Sequence, residues 1–276
     1  YTTTTYNQLY SLDMRNHGNS MHSPEMKIDN LVEDLSIFLR ENDILKRKHN
    51  DNSSVVLVGH SVGGKVAMLY SLKHQQDVDG LVCADVAPTC YVGVHNHSSK
   101  FEAMLKAASI FNDNDVTRSK IEDILESYEL DKGNRLYLMN NLVQNTSVAG
   151  NNFRWRVNLR NPCPPLTKYK HHQTLYDHQD DMLSFPSDER IKQLYNDMSS
   201  TTHLPVFNKP VLFVGGNDSH YLRPPHTSSI NKYFPNHQIT FIPGGHFAHV
   251  QSCRQFTDKL VDYLNTNVEL LSQSPV

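Results

Sequence analysis

Two kinds of hydrophobic spacing alternate along most of the chain. Val55-Val56-Leu57-Val58 is an unbroken, largely β-branched run that predicts a buried strand, and from Gly63 to Lys73 the spacing of Ala67, Met68 and Leu72 turns helical. Gly80 to Val86 predicts a second buried strand, and Val211 to Val214 and Ile239 to Ile242 predict two more. Helices are predicted near Thr227 to Phe234 and from Arg254 to about Asn265. Upstream, the β-favouring run Tyr6 to Leu12 predicts a strand that stops at a polar, turn-rich stretch from Asp13 to Ser20. Leu31, Leu35, Phe38 and Leu39 then predict one amphipathic helix from Asp29 to about Arg47, with Asp29 as its N-cap. Strands that alternate with helices and are apolar on both faces belong to the α/β class, with a mostly parallel, doubly wound sheet.

Between Val86 and Pro210 the alternation stops. The sequence there is helical, charged and Asn-rich, which predicts a helical insertion of about residues 93–204 lying over the strand ends of one domain spanning 1–276. No internal repeat is evident.

Composition narrows the partners. The 276 residues carry a formal net charge of −3, so no basic excess points to nucleic acid or an anionic membrane, and a neutral or organic small molecule fits better as substrate. The four cysteines form no CxxC pair and Cys83 lies in an apolar run, which favours a reducing compartment. No apolar stretch approaches the roughly 18 residues of a transmembrane helix. The sequence opens on Tyr1 rather than Met and without a charged-then-apolar leader, as a fragment or processed chain would.

Gly59-His60-Ser61-Val62-Gly63 matches G-x-S-x-G, with an apolar strand directly before it and a helix directly after. Such a turn must hold Ser61 in a strained backbone conformation that projects its hydroxyl above the sheet. Small residues two before and two after, Gly59 and Gly63, allow strand and helix to close around it, and Gly64 adds room. The backbone N–H of Val62, at the positive end of the helix, is placed to donate to an oxyanion formed during acyl transfer. A phosphate-cradling loop would need Gly-Lys-Ser/Thr, whereas Lys65 comes one residue late with no Ser or Thr after it.

A serine hydroxyl needs a neutral imidazole to take its proton. Among 16 histidines, position selects His246. The segment Ile242-Pro243-Gly244-Gly245-His246 follows the last apolar strand and precedes the final helix, where a loop can reach toward Ser61. His249 is the nearest rival, and His60, adjacent to the nucleophile, is expected to point elsewhere. His95-Asn96-His97 and His171-His172 lack carboxylate or cysteine partners at ligand spacing, so no metal or other cofactor is expected.

Several stretches together resemble one branch of the α/β-hydrolase superfamily, the α/β-hydrolase domain-containing protein eleven family. They are Asp13-x-Arg15-Asn16-His17-Gly18-x-Ser20, Gly59 to Lys65 with Ala67-Met68, Asp85-Val86-Ala87-Pro88, Phe153-x-Trp155-Arg156-Val157-Asn158-Leu159, Gly215-Gly216-Asn217 and Gly245-His246. The resemblance covers nearly the whole chain. It implies esterase activity on acyl esters or, as in a yeast branch, acetyl transfer to an alcohol, and it implies a mitochondrial location. On packing grounds alone, the Trp155 stretch would serve the insertion's core.

The imidazole also needs a carboxylate to fix its tautomer. Asp218 follows the penultimate strand, the usual superfamily place. Asp85 ends the strand after the nucleophile helix and matches the position the resemblance favours, where family members often carry no acid at the Asp218 position. Asp85 is the expected acid, with Asp218 as the alternative.

In the resembling fold a further strand, ending in a His-Gly-type loop that donates a second oxyanion N–H, precedes the Asp13 region; no such motif occurs before Asp13. His17-Gly18 fits the turn after the next strand instead. The expectation is therefore an N-terminally truncated chain, lacking N-terminal strands and poorly stable as written. The leading function is hydrolysis of a carboxylic ester through Ser61, His246 and Asp85. The alternatives are acyl transfer to an alcohol by the same residues, or a non-catalytic, partner-binding member of the fold.

Overall fold

The computed structural model describes residues 8–51, 53–91, 98–113, 115–130, 132–145, 153–159, 185–196 and 204–268. In chain order its elements begin with α1 (Ile28–Glu41), α2 (Ile44–Asp51), β1 (Val56–His60), α3 (Val62–Lys73) and β2 (Gly80–Ala84). There follow α4 (Ser98–Ala108), α5 (Arg118–Ser127), α6 (Lys132–Met139), β3 (Leu142–Gln144), β4 (Phe153–Trp155) and α7 (Asp188–Asn196). The last part holds β5 (Val211–Gly216), α8 (Thr227–Tyr233), β6 (His237–Ile242), α9 (Ala248–Gln251) and α10 (Cys253–Asn267). Two compact units are formed, one from Tyr1–Leu12, Lys27–Tyr91 and Gln179–Val276, the other from Asp13–Met26 and Val92–His178.

The first unit holds a parallel sheet of order β1-β2-β5-β6. All five residues of β2 are buried, as its central place requires, whereas β1 is the outermost strand among the described residues and Val58 is 51% exposed. Alternation along the strands sends Val82, Leu212 and Val214 to a cluster with Tyr263, Phe256, Leu260 and Leu264 of α10. Phe213, one residue out of phase, meets Phe234 at the end of α8, so helices cover both faces. α3 packs on β1, β2 and α1 and buries Met68, Leu69 and Tyr70 completely. Burying each such side chain contributes roughly 1.5–3 kcal/mol.

Three sequence expectations are corrected. The predicted strand Tyr6–Leu12 is not one where it is described: Gln8 to Leu12 pairs with no strand and Leu9 is 98% exposed. A β-favouring run becomes a strand only when a neighbour completes its ladder. The predicted helix Asp29–Arg47 is two helices, because Asp43 takes φ +56° and the Asn42 side chain donates to the Phe38 carbonyl at 2.9 Å, closing α1. Its N-cap is Lys27, whose N–H donates to Asn30 Oδ1 at 2.9 Å. Asp29 lies inside the first turn, where a carboxylate suits the helix dipole, and bonds Arg190 at 2.9 Å.

In the second unit, α4, α5 and α6 pack around Phe111, Ile121, Leu125 and Trp155. A β3–β4 antiparallel ladder, absent from the sequence expectation, pairs Leu142 with Trp155. The Trp155 indole donates to the Met104 carbonyl at 2.9 Å, binding the ladder to α4. Two motif stretches meet in this unit: Asn158 N–H donates to the Asn16 carbonyl and Asn158 Nδ2 to Asn16 Oδ1, both at 3.0 Å. Asn16 holds φ +66°, and Asn19 N–H donates to the Asp13 carboxylate at 3.0 Å, so the Asp13–Ser20 stretch is a self-bonded turn.

Candidate active site

β1 and β2 end at the same register, with β5 and β6 running two residues further, and this register places the chemistry. His60 of β1 pairs with Ala84 of β2, and Ala84 with Val214 of β5, so Ser61 and Asp85 leave adjacent strands one residue beyond the same pair. Ser61 N–H donates to the Ala84 carbonyl at 3.2 Å and Asp85 N–H to the Val214 carbonyl at 2.8 Å. Both residues then turn sharply: Ser61 has φ +53° and ψ −118°, and Asp85 has φ +50°. Two non-glycine residues in the left-handed half of backbone space, side by side, mark stored strain held by the surrounding sheet.

His246 comes from the loop after β6. Its Nε2 lies 3.1 Å from Ser61 Oγ and its Nδ1 2.8 Å from Asp85 Oδ2. A carboxylate only accepts, so Nδ1 carries the proton and Nε2 accepts from the serine hydroxyl. Asp85 is 1% exposed; its Oδ1 accepts from Gly216 N–H at 3.1 Å, and Ser219 donates to Oδ2 through a short hydrogen bond. The structure thus brings Ser61, His246 and Asp85 together. Asp218 is exposed, its backbone N–H donating to the Gly244 carbonyl at 2.9 Å.

The elbow glycines divide their work. A Cβ at Gly59 would lie 2.4 Å from the Gly63 backbone, and one at Gly64 2.5 Å from Val86, whereas one at Gly63 would meet nothing within 4 Å. Close approach of strand and helix therefore forbids a side chain at Gly59 and Gly64, while Gly63 contributes only its backbone. Val62 opens α3, where its N–H has no intrahelical acceptor.

Tyr221 and His60, which the sequence did not single out as partners, flank the imidazole. Tyr221 stacks on His246 with ring centroids 3.8 Å apart at 23°. Its carbonyl accepts from Tyr91 OH at 2.7 Å, and its N–H donates to Ser219 Oγ at 3.1 Å. Burial, then the Asp85 charge, pushes the Tyr221 phenol up to about 12. His60 does not point away from the site: its ring lies 4.6 Å from that of His246, and its Nε2 is 2.7 Å from the His246 carbonyl. Burial, reinforced by His246 and His249, pulls His60 down to about 3. His249, the rival base, packs on His60 with ring centroids 4.1 Å apart at a tilt of 38°, and burial lowers its affinity for a proton too. Only the G-H-S-x-G context could have flagged His60; Ser219 and Tyr221 have no local signature.

Among the described residues no group of three or more His, Cys, Asp or Glu is placed to hold a metal ion, and no helix is long and apolar enough to cross a membrane. His95, His97, His171 and His172 lie outside the described residues.

The chain is similar to known proteins in sequence and in fold. The chain is 31% identical to the sn-1-specific diacylglycerol lipase ABHD11 of Mus musculus over 265 residues, covering 94% of this chain and 72% of the relative. It is 25% identical to a probable alcohol acetyltransferase of Saccharomyces cerevisiae, covering 93% and 68%. A marine microorganism esterase of known structure superposes with a TM-score of 0.67 at 28% identity, covering 91% of this chain and 83% of that one. The profile of the alpha/beta hydrolase fold matches residues 8–252, and the chain belongs to that family.

Proposed function

We propose that this protein is a serine hydrolase of carboxylic esters. The observation that carries the reading is the hydroxyl of Ser61 at 3.1 Å from an imidazole nitrogen whose opposite nitrogen is bonded to a buried carboxylate. Ser61 Oγ attacks the acyl carbon as its proton passes to His246 Nε2, and Asp85 holds the Nδ1 proton and stabilises the imidazolium. The Val62 N–H donates to the oxyanion of the tetrahedral intermediate. Its collapse expels the alcohol, which takes the proton from His246, and water activated by the same imidazole releases the acid. The names of the mouse lipase and the marine esterase support this substrate class.

Acyl transfer to an alcohol is the second reading, favoured by the yeast acetyltransferase at 25% identity. Both share the acyl-enzyme and differ in whether water or an alcohol reaches it. A mitochondrial location belongs to the same proposal, to be checked by imaging the tagged protein in its own cells. The decisive test is labelling with a fluorophosphonate probe. Wild type should label and Ser61→Ala should not; an unlabelled wild type, or an equally labelled Ser61→Ala, overturns the reading. Product analysis with and without added ethanol then separates hydrolysis from transfer.

A further inference from the structure

We propose that His60 is a positioning residue for the base: through its Nε2 proton it ties the main chain of His246 to the strand that carries the nucleophile. The inference rests on the reading of Ser61 and His246 as nucleophile and base.

A carbonyl oxygen only accepts, so the 2.7 Å contact between His60 Nε2 and the His246 carbonyl assigns the proton to His60 Nε2. The tie needs no charge. A positive His60 would face imidazoles at 4.6 Å and 4.1 Å in a partly buried place, and burial together with those neighbours keeps it neutral down to about pH 3.

The loop that carries His246 needs such a tie. Gly244, at φ +118°, and Gly245 immediately precede it, and glycine leaves the main chain the widest choice of conformations. Apart from the imidazole's own bonds to Ser61 and Asp85, the loop is held from its own side of the sheet: Gly245 N–H donates to Gln251 Oε1 at 2.8 Å, Ser252 Oγ to the Pro243 carbonyl at 2.8 Å and Asp218 N–H to the Gly244 carbonyl at 2.9 Å. The bond from His60 starts one residue from Ser61. It therefore joins nucleophile and base through a single peptide, a side chain and one hydrogen bond, with the His249 ring backing His60.

Two substitutions separate the bond from the ring. His60→Phe keeps an aromatic ring between His246 and His249 and removes the donor; His60→Gln removes the ring and keeps an N–H at comparable reach. With active sites counted by fluorophosphonate titration, His60→Phe should lower kcat about 10- to 100-fold with KM within about twofold, the size of effect that a misplaced catalytic group produces. His60→Gln should return kcat to within about threefold of wild type. A wild-type kcat per titrated site in His60→Phe, whatever its melting temperature, overturns the inference, as does equal impairment of both variants. Nitrogen-15 shifts of wild-type His60 give a readout that needs no variant: a proton on Nε2 is expected, and one on Nδ1 refutes the tie. A wild-type protein that neither labels nor turns over esters would fail the proposed function itself, whereas an active wild type with an unaffected His60→Phe fails this inference alone.

Discussion

Asp85→Asn is the substitution that most directly questions the site. It conserves volume in a place 1% exposed, so packing changes little and the chemistry changes sharply. Asp85 Oδ2 now receives the Nδ1 proton of His246 and the Ser219 hydroxyl, while Oδ1 receives Gly216 N–H. In Asn the oxygen must stay on Gly216, since two N–H donors cannot face each other, which turns the amide nitrogen toward His246 and Ser219. Nδ1 must then accept, the proton moves to Nε2, and the imidazole presents a donor to Ser61 where it should present an acceptor. Loss of the imidazolium's counter-charge adds to the wrong tautomer. A wrong-tautomer triad loses about 10³- to 10⁴-fold in kcat, about 4–5.5 kcal/mol of barrier. The assay is turnover of a chromogenic acyl ester across pH 6–9 per folded protein, with Asp218→Asn measured beside it. Asp218 is exposed, and its side chain should matter less than about twofold. A large loss in Asp218→Asn with little loss in Asp85→Asn would refute the assignment of the acid.

Ser219→Ala removes one of the donors to a buried carboxylate; a hydrogen bond to a charged group is worth about 1.5–3 kcal/mol, and a fall of about tenfold in kcat together with a lower urea midpoint is expected. Gly63→Ala should leave the melting temperature unchanged or raised, because its Cβ meets open space and alanine favours a helix by about 0.8–1 kcal/mol, while Gly59→Ala, 2.4 Å from the Gly63 backbone, should fold poorly. Stability should fall on acidification: the unfolded chain protonates His60 from about pH 6.5 downward and the folded chain only near 3, so the stabilisation present above pH 6.5 is lost progressively toward pH 3. Between pH 6.5 and 4.5 this amounts to about 3 kcal/mol at most, and the acid sensitivity measured by urea unfolding should shrink in His60→Gln.

What the sequence made legible follows the reach of each interaction. Ser61 could be read because its constraint is local: a strand, a turn that excludes side chains and a helix. His246 could be read from order along the chain, since the loop after β6 ends beside the other strand ends. The acid stayed divided between Asp85 and Asp218 because both sit just past strand ends, and only the register and the turn at φ +50° decide which one points its carboxylate at the imidazole. His60 and Ser219 act on partners more than a hundred residues away, and Tyr221 stacks on a residue two elements further along the chain, separations for which no periodicity exists. The β3–β4 ladder has three residues per strand, too few for alternation to register, and the division between α1 and α2 depends on one backbone angle at Asp43.

The shared register of β1 and β2 gives the site two halves of different origin. Nucleophile and acid are spaced by the sheet itself, as two marks on one ruler, so their separation changes only if the sheet comes apart. The base hangs from a glycine-rich loop fastened by single hydrogen bonds with His60, Gln251, Ser252 and Asp218. Gradual loss of the proposed activity under heat or mild denaturant is therefore expected to begin as a detachment of His246 from an otherwise intact frame, reversible for as long as β1 and β2 stay paired.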